Sequence, residues 1–480
     1  MNLRIRSVYL LFFVLPIVFW LYNPFELYFL NDDGIHIFKN LHFRFQMGPY
    51  YRPMSDLSLF IDLNLYGTEA WGFHLTNLLL HAVCTLILYF FAKRCLNHFG
   101  VKNAKQIAGL ASCFFFIYAF HSEAVLWIIG RGASLSVFFA GLSLIFFLDR
   151  FKNRINYWLS LFFFVCGLYA YESVLILPFI VSLFVICSVP WKNYRSELKN
   201  LGGYWFVFLV FLLIRKLTQG SMIGTTYAGN GFSDFNVKQY LYNYAALFLR
   251  SFIPPGSTIL FVSFSVIVLC ILTAIIFYLV KRKLFFSYRR FIWISFLLSL
   301  AVYVMSGIDT HDSEGERFLY MPSFFLSIIL ADLLFLIKWR KIRVATLIFW
   351  IVSQLFFLSR SAGAFKYSSQ IAKNTIEELN NNQGRYNHLY LFNLPSQYEG
   401  AFIFRTGFEN YINWLVPGVH YEQLTVISQK EIYNKIHLTK SRQWDQITIR
   451  PSLEKALLPD SINADDALLV WTDSSFLFVK

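Results

Sequence analysis

The 480-residue chain is 57% hydrophobic and 20% aromatic but only 15% charged, far from the roughly half-apolar, quarter-charged composition of soluble domains. Its net charge of +14 would suit nucleic acid if the basic residues formed one stripe with interleaved aromatics. They sit instead in short loops between apolar blocks, which excludes nucleic acid as a partner.

In chain order the apolar blocks predict about eleven membrane spans, at 7–24, 74–92, 106–120, 133–149, 155–171, 172–190, 201–217, 257–280, 290–306, 318–338 and 343–360. The first block has signal-peptide charge and apolarity but no small-residue cleavage site, so it is read as a retained span. Basic clusters at Arg4/Arg6, 93–105, 150–154, 192–199, 281–290 and 338–343 then all face one side, the cytoplasmic one. The N-terminus falls inside and, with an odd span count, the C-terminus outside. Segment 237–252 is amphipathic and aromatic and is expected to lie at the outer interface.

Two regions stand outside the membrane: a long first outer loop, 25–73, and a tail, 361–480, of ordinary soluble composition. In the tail, the runs HLYLFNLP, GAFIF, DQITI, ALLVW and SFLFV read as short strands among turns. The expected architecture is an α-helical polytopic membrane domain over 1–360 and a small extracytoplasmic α+β domain over 361–480. Cys84, Cys113, Cys166, Cys187 and Cys270 lie in apolar blocks and Cys95 in a basic loop, so no disulfide framework is implied. No C-x-x-C or His-rich spacing calls for a metal site. No cofactor is expected, with a divalent cation left open.

The polar residues of the outer loops are the candidates for chemistry. Asp32 and Asp33, in Asn31-Asp32-Asp33-Gly34, follow closely on the first span. A carboxylate held there could accept a proton from a hydroxyl attacking a lipid-linked sugar; the alternative is a turn with solvated acids. Arg52 follows in Tyr51-Arg52-Pro53, and His74, Asn77 and His81 share one helical face. A polar seam of that kind must face a protein interior or a wet cavity; His81 reads as inter-helix bonding and His74 as the functional candidate. His121, Glu123 and Arg131 lie within eleven residues, where they could bind sugar hydroxyls or phosphate or merely cap the interface. Glu172 and His311 are also outward. Arg317 is suited to a bidentate grip on a phosphate leaving group, with pairing to Glu314 or Glu316 as the plain alternative.

Four motifs in one order carry a resemblance: the acidic pair with Y-R-P; G-x-x-x-x-G-F-H-x-x-N-x-x-x-H; H-x-E-A-V-x-W-I-x-G-R; and E-R-F-L-Y-M-P-S. From about Asn31 to Ser323 the chain resembles the GT-C glycosyltransferases, specifically the TPR-containing transmembrane O-mannosyltransferases and their bacterial relatives. The resemblance implies a GT-C-like fold, a polyprenyl-phosphate sugar donor, inversion at the anomeric carbon and a first-loop acid in catalysis, here Asp32 or Asp33. It also implies Arg317 as phosphate ligand and His121, Glu123 and Arg131 as cavity residues. The chain departs from the pattern in having a short mixed tail instead of tetratricopeptide repeats, and Tyr171-Glu172 where Lys-Glu is common. That tail suggests a bacterial inner-membrane member with its C-terminal domain in the periplasm, acting on a glycan, lipid or protein acceptor. The rival readings are a transporter or flippase of lipid-linked glycans, which would place charges at the midplane, and a non-catalytic assembly subunit.

Overall fold

The computed structural model describes residues 7–41, 51–190, 194–219, 236–419, 424–428, 465–472 and 475–478. Helix α1 (Ser7–Tyr22) leads into the first loop, which is itself largely helical, with α2 (Asp33–Leu41) and α3 (Pro53–Tyr66). Pro53 suits the first turn of α3, where its missing N–H costs no helical bond. There follow α4 (Ala70–His98), α5 (Ala104–Phe116), α6 (Ser122–Leu126), α7 (Arg131–Leu148), α8 (Arg154–Leu168), α9 (Leu177–Ser188) and α10 (Tyr194–Gln219). Helices α11 (Val237–Arg250), α12 (Thr258–Lys281), α13 (Ser287–Ala301), α14 (Tyr320–Leu336) and α15 (Arg340–Asn382) complete the helical part.

Among the described residues, six helices are long and apolar enough to cross a membrane, or seven if α5 and the segment Ala119–Leu126 form one span bent by 61°. Of the other expected spans, 155–171 and 172–190 correspond to shorter apolar helices, Arg154–Leu168 and Glu172–Ser188, cut short by local breaks, and 7–24 and 290–306 to α1 of 16 residues and α13 of 15. Glu172–Ile176, for example, winds as a 3-10 turn before α9. Helix α12 exposes apolar side chains on almost all sides, as at Ile259 (79%) and Phe277 (66%), a surface suited to hydrocarbon and not to water. Segment 237–252 forms α11, whose last turn is drawn into the protein by the fully buried Arg250.

Helix α15 runs unbroken through the expected boundary at 360 and carries the tail on its second half, where Ile371, Ala372, Ile376 and Leu379 are buried. The tail contains β1 (His388–Leu394), β2 (Gln397–Tyr398), β3 (Ala401–Phe402), α16 (Phe408–Leu415), β4 (Leu424–Ser428), β5 (Asp466–Trp471) and β6 (Phe476–Phe478). One sheet runs β4-β1-β5-β6, with β1 parallel to both β4 and β5, and β6 antiparallel to β5. Four of the five expected runs supply strands, DQITI lies outside the described residues, and β2 and β4 were not foreseen.

Candidate active site

The acidic pair sits at the start of α2, and its two members are held differently. Asn31 adopts a left-handed backbone (φ 53°), which asparagine tolerates better than most residues. The tail fastens it: the Asn31 N–H donates to the Ile403 carbonyl at 2.6 Å, and the Thr406 hydroxyl to Asn31 Oδ1 at 3.2 Å. Asp33 is fully buried and accepts from the backbone N–H of Leu30 at 2.9 Å and of Ile129 at 3.1 Å. It therefore clamps the turn to the 127–131 segment. Burial pushes its carboxyl well above the usual range, against those two donors.

Asp32 has no such duties. Its residue is partly exposed, yet its Oδ1 is sealed from solvent and takes no hydrogen bond among the described residues. Burial pushes its carboxyl up to about 6, while the guanidiniums of Arg317, Arg405 and Arg52 pull the other way. A carboxylate so placed is poised near neutrality for taking up a proton.

Each of those guanidiniums is held by a glutamate. Arg52 grips Glu172 through two contacts, at 2.8 and 3.4 Å, and lies over the Tyr171 ring at 4.3 Å. Arg317 pairs with Glu123, whose other oxygen accepts the Arg317 backbone N–H at 3.0 Å, and its guanidinium faces the Trp127 ring at 5.2 Å. Arg405 reaches Glu314 at 2.8 Å and stacks on Phe402 at 3.5 Å. Arg317 thus pairs with neither of the acids weighed from spacing. Glu314 is taken by Arg405, and Glu316 by Arg250 at 2.6 Å. Sequence reasoning missed Arg405, because nothing local marks one tail arginine as a neighbour of the first loop.

The remaining candidates separate into two groups. His311 lines a cavity of about 480 Å³ together with Arg317, Asp309, Glu314 and Asn243. Arg131, His74 and His121 lie deeper. The Arg131 guanidinium is fully buried and bonds Asp62 (2.6 Å), the Ser58 hydroxyl (3.1 Å) and the Phe73 carbonyl (3.0 Å), tying α3 to α4. His74 Nε2 lies 3.1 Å from the Tyr28 carbonyl, and His121 Nε2 lies 2.6 Å from the Ser323 hydroxyl. His81 bridges Tyr320 and the Phe116 carbonyl, and Asn77 donates to the carbonyls of Val125 and Trp127. The polar seam of α4 thereby supports the irregular 117–131 segment on which Glu123 and Ile129 are presented. No three His, Cys, Asp or Glu side chains converge as metal ligands among the described residues.

The tail packs tightly on this turn. A Cβ on Gly34 would lie 2.9 Å from the Tyr411 ring, closer than carbon atoms approach, and Tyr411 is fully buried. Gly34→Ala is expected to cost about 1–3 kcal/mol through displacement of that ring, read as a lowered thermal unfolding temperature.

Over part of its length the chain is similar to proteins named protein O-mannosyl-transferases. It is 34% identical over 104 residues to one from Caenorhabditis elegans, covering 22% of this chain and 14% of the relative. It is 27% identical over 186 residues to tmtc2 of Xenopus laevis, covering 38% and 19%, and 35% identical over 105 residues to TMTC2 of Homo sapiens, covering 22% and 12%. The chain spans less than a fifth of the length of these relatives. No family model matches the chain, and no solved structure does.

Proposed function

We propose that this chain is a multi-pass membrane glycosyltransferase of the GT-C type that moves a sugar from a polyprenyl-phosphate donor to an acceptor hydroxyl with inversion. In this reading about eleven segments cross a bacterial inner membrane, the N-terminus is cytoplasmic, and the site and tail face the periplasm. The observation that carries the proposal is the Asp32 carboxylate, whose sealed Oδ1 has no hydrogen-bond partner among the described residues and whose charge is favoured by the guanidiniums of Arg317, Arg405 and Arg52. The acceptor oxygen bonds the anomeric carbon as its proton passes to Asp32. The bond from that carbon to the phosphate oxygen breaks, and its electron pair leaves on the phosphate. Arg317 and Arg52, each pre-aimed by a glutamate, stabilise the departing charge.

The relatives' name makes mannose the first sugar to try. Purified protein incubated with a panel of polyprenyl-phosphate sugars is expected to release polyprenyl phosphate in an acceptor-dependent way. Movement of intact lipid-linked sugar across vesicles with no bond cleavage would instead establish the transporter reading.

The raised carboxyl of Asp32 has a pH signature. Since the base must be ionised, kcat/KM is expected to fall about tenfold per pH unit below roughly 6. Stability moves oppositely. A carboxyl raised above its ordinary 3.8 contributes most below that pH, and this contribution is lost as pH rises through about 6. Paired rate and unfolding profiles check both signs.

A further inference from the structure

A second cavity, of about 560 Å³, lies between α5, α12, α14 and α15. Apart from Thr346 and the Tyr278 ring, its walls are aliphatic or aromatic, from Ile271 to Leu279 on α12 and from Leu330 on α14 to Ile337 just after it, with Leu347 and Trp350 of α15 beside them. Eight residues of helix rise about 12 Å, close to the depth of one leaflet of a roughly 30 Å hydrocarbon core. The groove therefore accommodates chains of lipids from one leaflet only.

The chain immediately flanking its walls is strongly basic. Lys281 follows two residues after Leu279, Lys338 directly after Ile337, and Arg343 precedes Leu347 by one helical turn, with Arg340 and Lys341 beside it. Lys281 and Arg343 lie against the rings of Phe277 and Phe335 at 5.7 and 5.8 Å. None of these five cations forms an ion pair among the described residues. The acid at this end of α14, Asp332, is taken by Arg289 at 2.6 Å and by the Tyr288 hydroxyl at 3.0 Å. An apolar slot one leaflet deep, rimmed by cations that lack acidic partners, has the chemistry of an anionic phospholipid site.

We infer that this groove holds an anionic phospholipid, with acyl chain between α12, α14 and α15 and headgroup phosphate on Lys281, Lys338 and Arg343. The inference rests on the membrane-spanning part of the function proposed above and not on its transfer chemistry. A bound lipid there would brace α12, which otherwise packs few of its residues against protein.

The test is native mass spectrometry of the full chain in detergent, titrated with dioleoyl phosphatidylglycerol, dioleoyl phosphatidylcholine or undecaprenyl phosphate. One phosphatidylglycerol per chain is expected to be retained at about tenfold lower lipid concentration than phosphatidylcholine. Ala274→Phe, which fills the groove, is expected to abolish that retention. Lys338→Gln combined with Arg343→Gln is expected to remove the preference over phosphatidylcholine. Equal retention of both phospholipids by the wild-type chain overturns the inference, as does displacement of phosphatidylglycerol by equimolar undecaprenyl phosphate. A chain recovered in soluble form without detergent would instead reject the membrane reading itself, so the two failures are distinguishable.

Discussion

Asp32→Asn is expected to lower sugar transfer by about 10²–10⁴-fold while leaving thermal unfolding unchanged or slightly raised. In the proposed mechanism the substitution removes the carboxylate that takes up the acceptor's proton. It also removes a carboxylate whose ionised form burial disfavours and whose Oδ1 has no hydrogen-bond partner among the described residues. Asp33→Asn should behave in the opposite manner. Both Asp33 oxygens accept backbone N–H groups, and an amide can accept only one of them. A buried donor left unpaired costs about 1–3 kcal/mol, so this variant loses stability first and activity only as the turn loosens. Turnover and unfolding measured on both variants separate the roles. A well-folded, inactive Asp33→Asn beside an active Asp32→Asn would falsify the assignment of Asp32 as the base.

Arg131→Met is expected to destabilise the chain by about 3–5 kcal/mol, because it strands Asp62 in the interior without its cation. Asp62 is 3% exposed and keeps only the Thr76 hydroxyl at 2.9 Å as a donor. Arg131→Met with Asp62→Leu should recover most of the loss, since removing both charges leaves neither unpaired. Chemical denaturation of the two single variants and the double variant completes the cycle. The motif that contains Arg131 implies a cavity residue, and that role would show differently. It would leave Arg131→Met with wild-type stability and a raised KM for the donor.

The loop that follows the first apolar block shows where sequence reading succeeds and where it stops. An acidic pair immediately after an apolar block is visible locally, and so is the chemistry its carboxylates allow. The division of labour between Asp32 and Asp33 is not, since it depends on the Ile129 N–H reaching only one of them. Spacing likewise offered Glu314 and Glu316 to Arg317, because neighbours in sequence are the only partners a sequence displays. Folding brings Glu123 across instead and hands the nearby acids to Arg250 and Arg405. Span counting met a similar limit. Apolar length identified the blocks, but α8 and α9 are shorter than their blocks because turns consume the ends.

Composition and the length of apolar runs, both local properties of the chain, were enough to indicate several apolar helices followed by a small region containing strands. They also placed the acids and arginines at the helix ends, since charge is costly within hydrocarbon and collects where runs stop. Only the tertiary structure decided that the tail packs on the turn that carries Asp32. Thr406 and Asn31 lie 375 residues apart in sequence yet share a hydrogen bond, and no local pattern encodes a contact at that separation. The reason is geometric: α15 carries the tail back over the first loop without a break, so Arg405 arrives beside Asp32 through packing rather than through proximity along the chain.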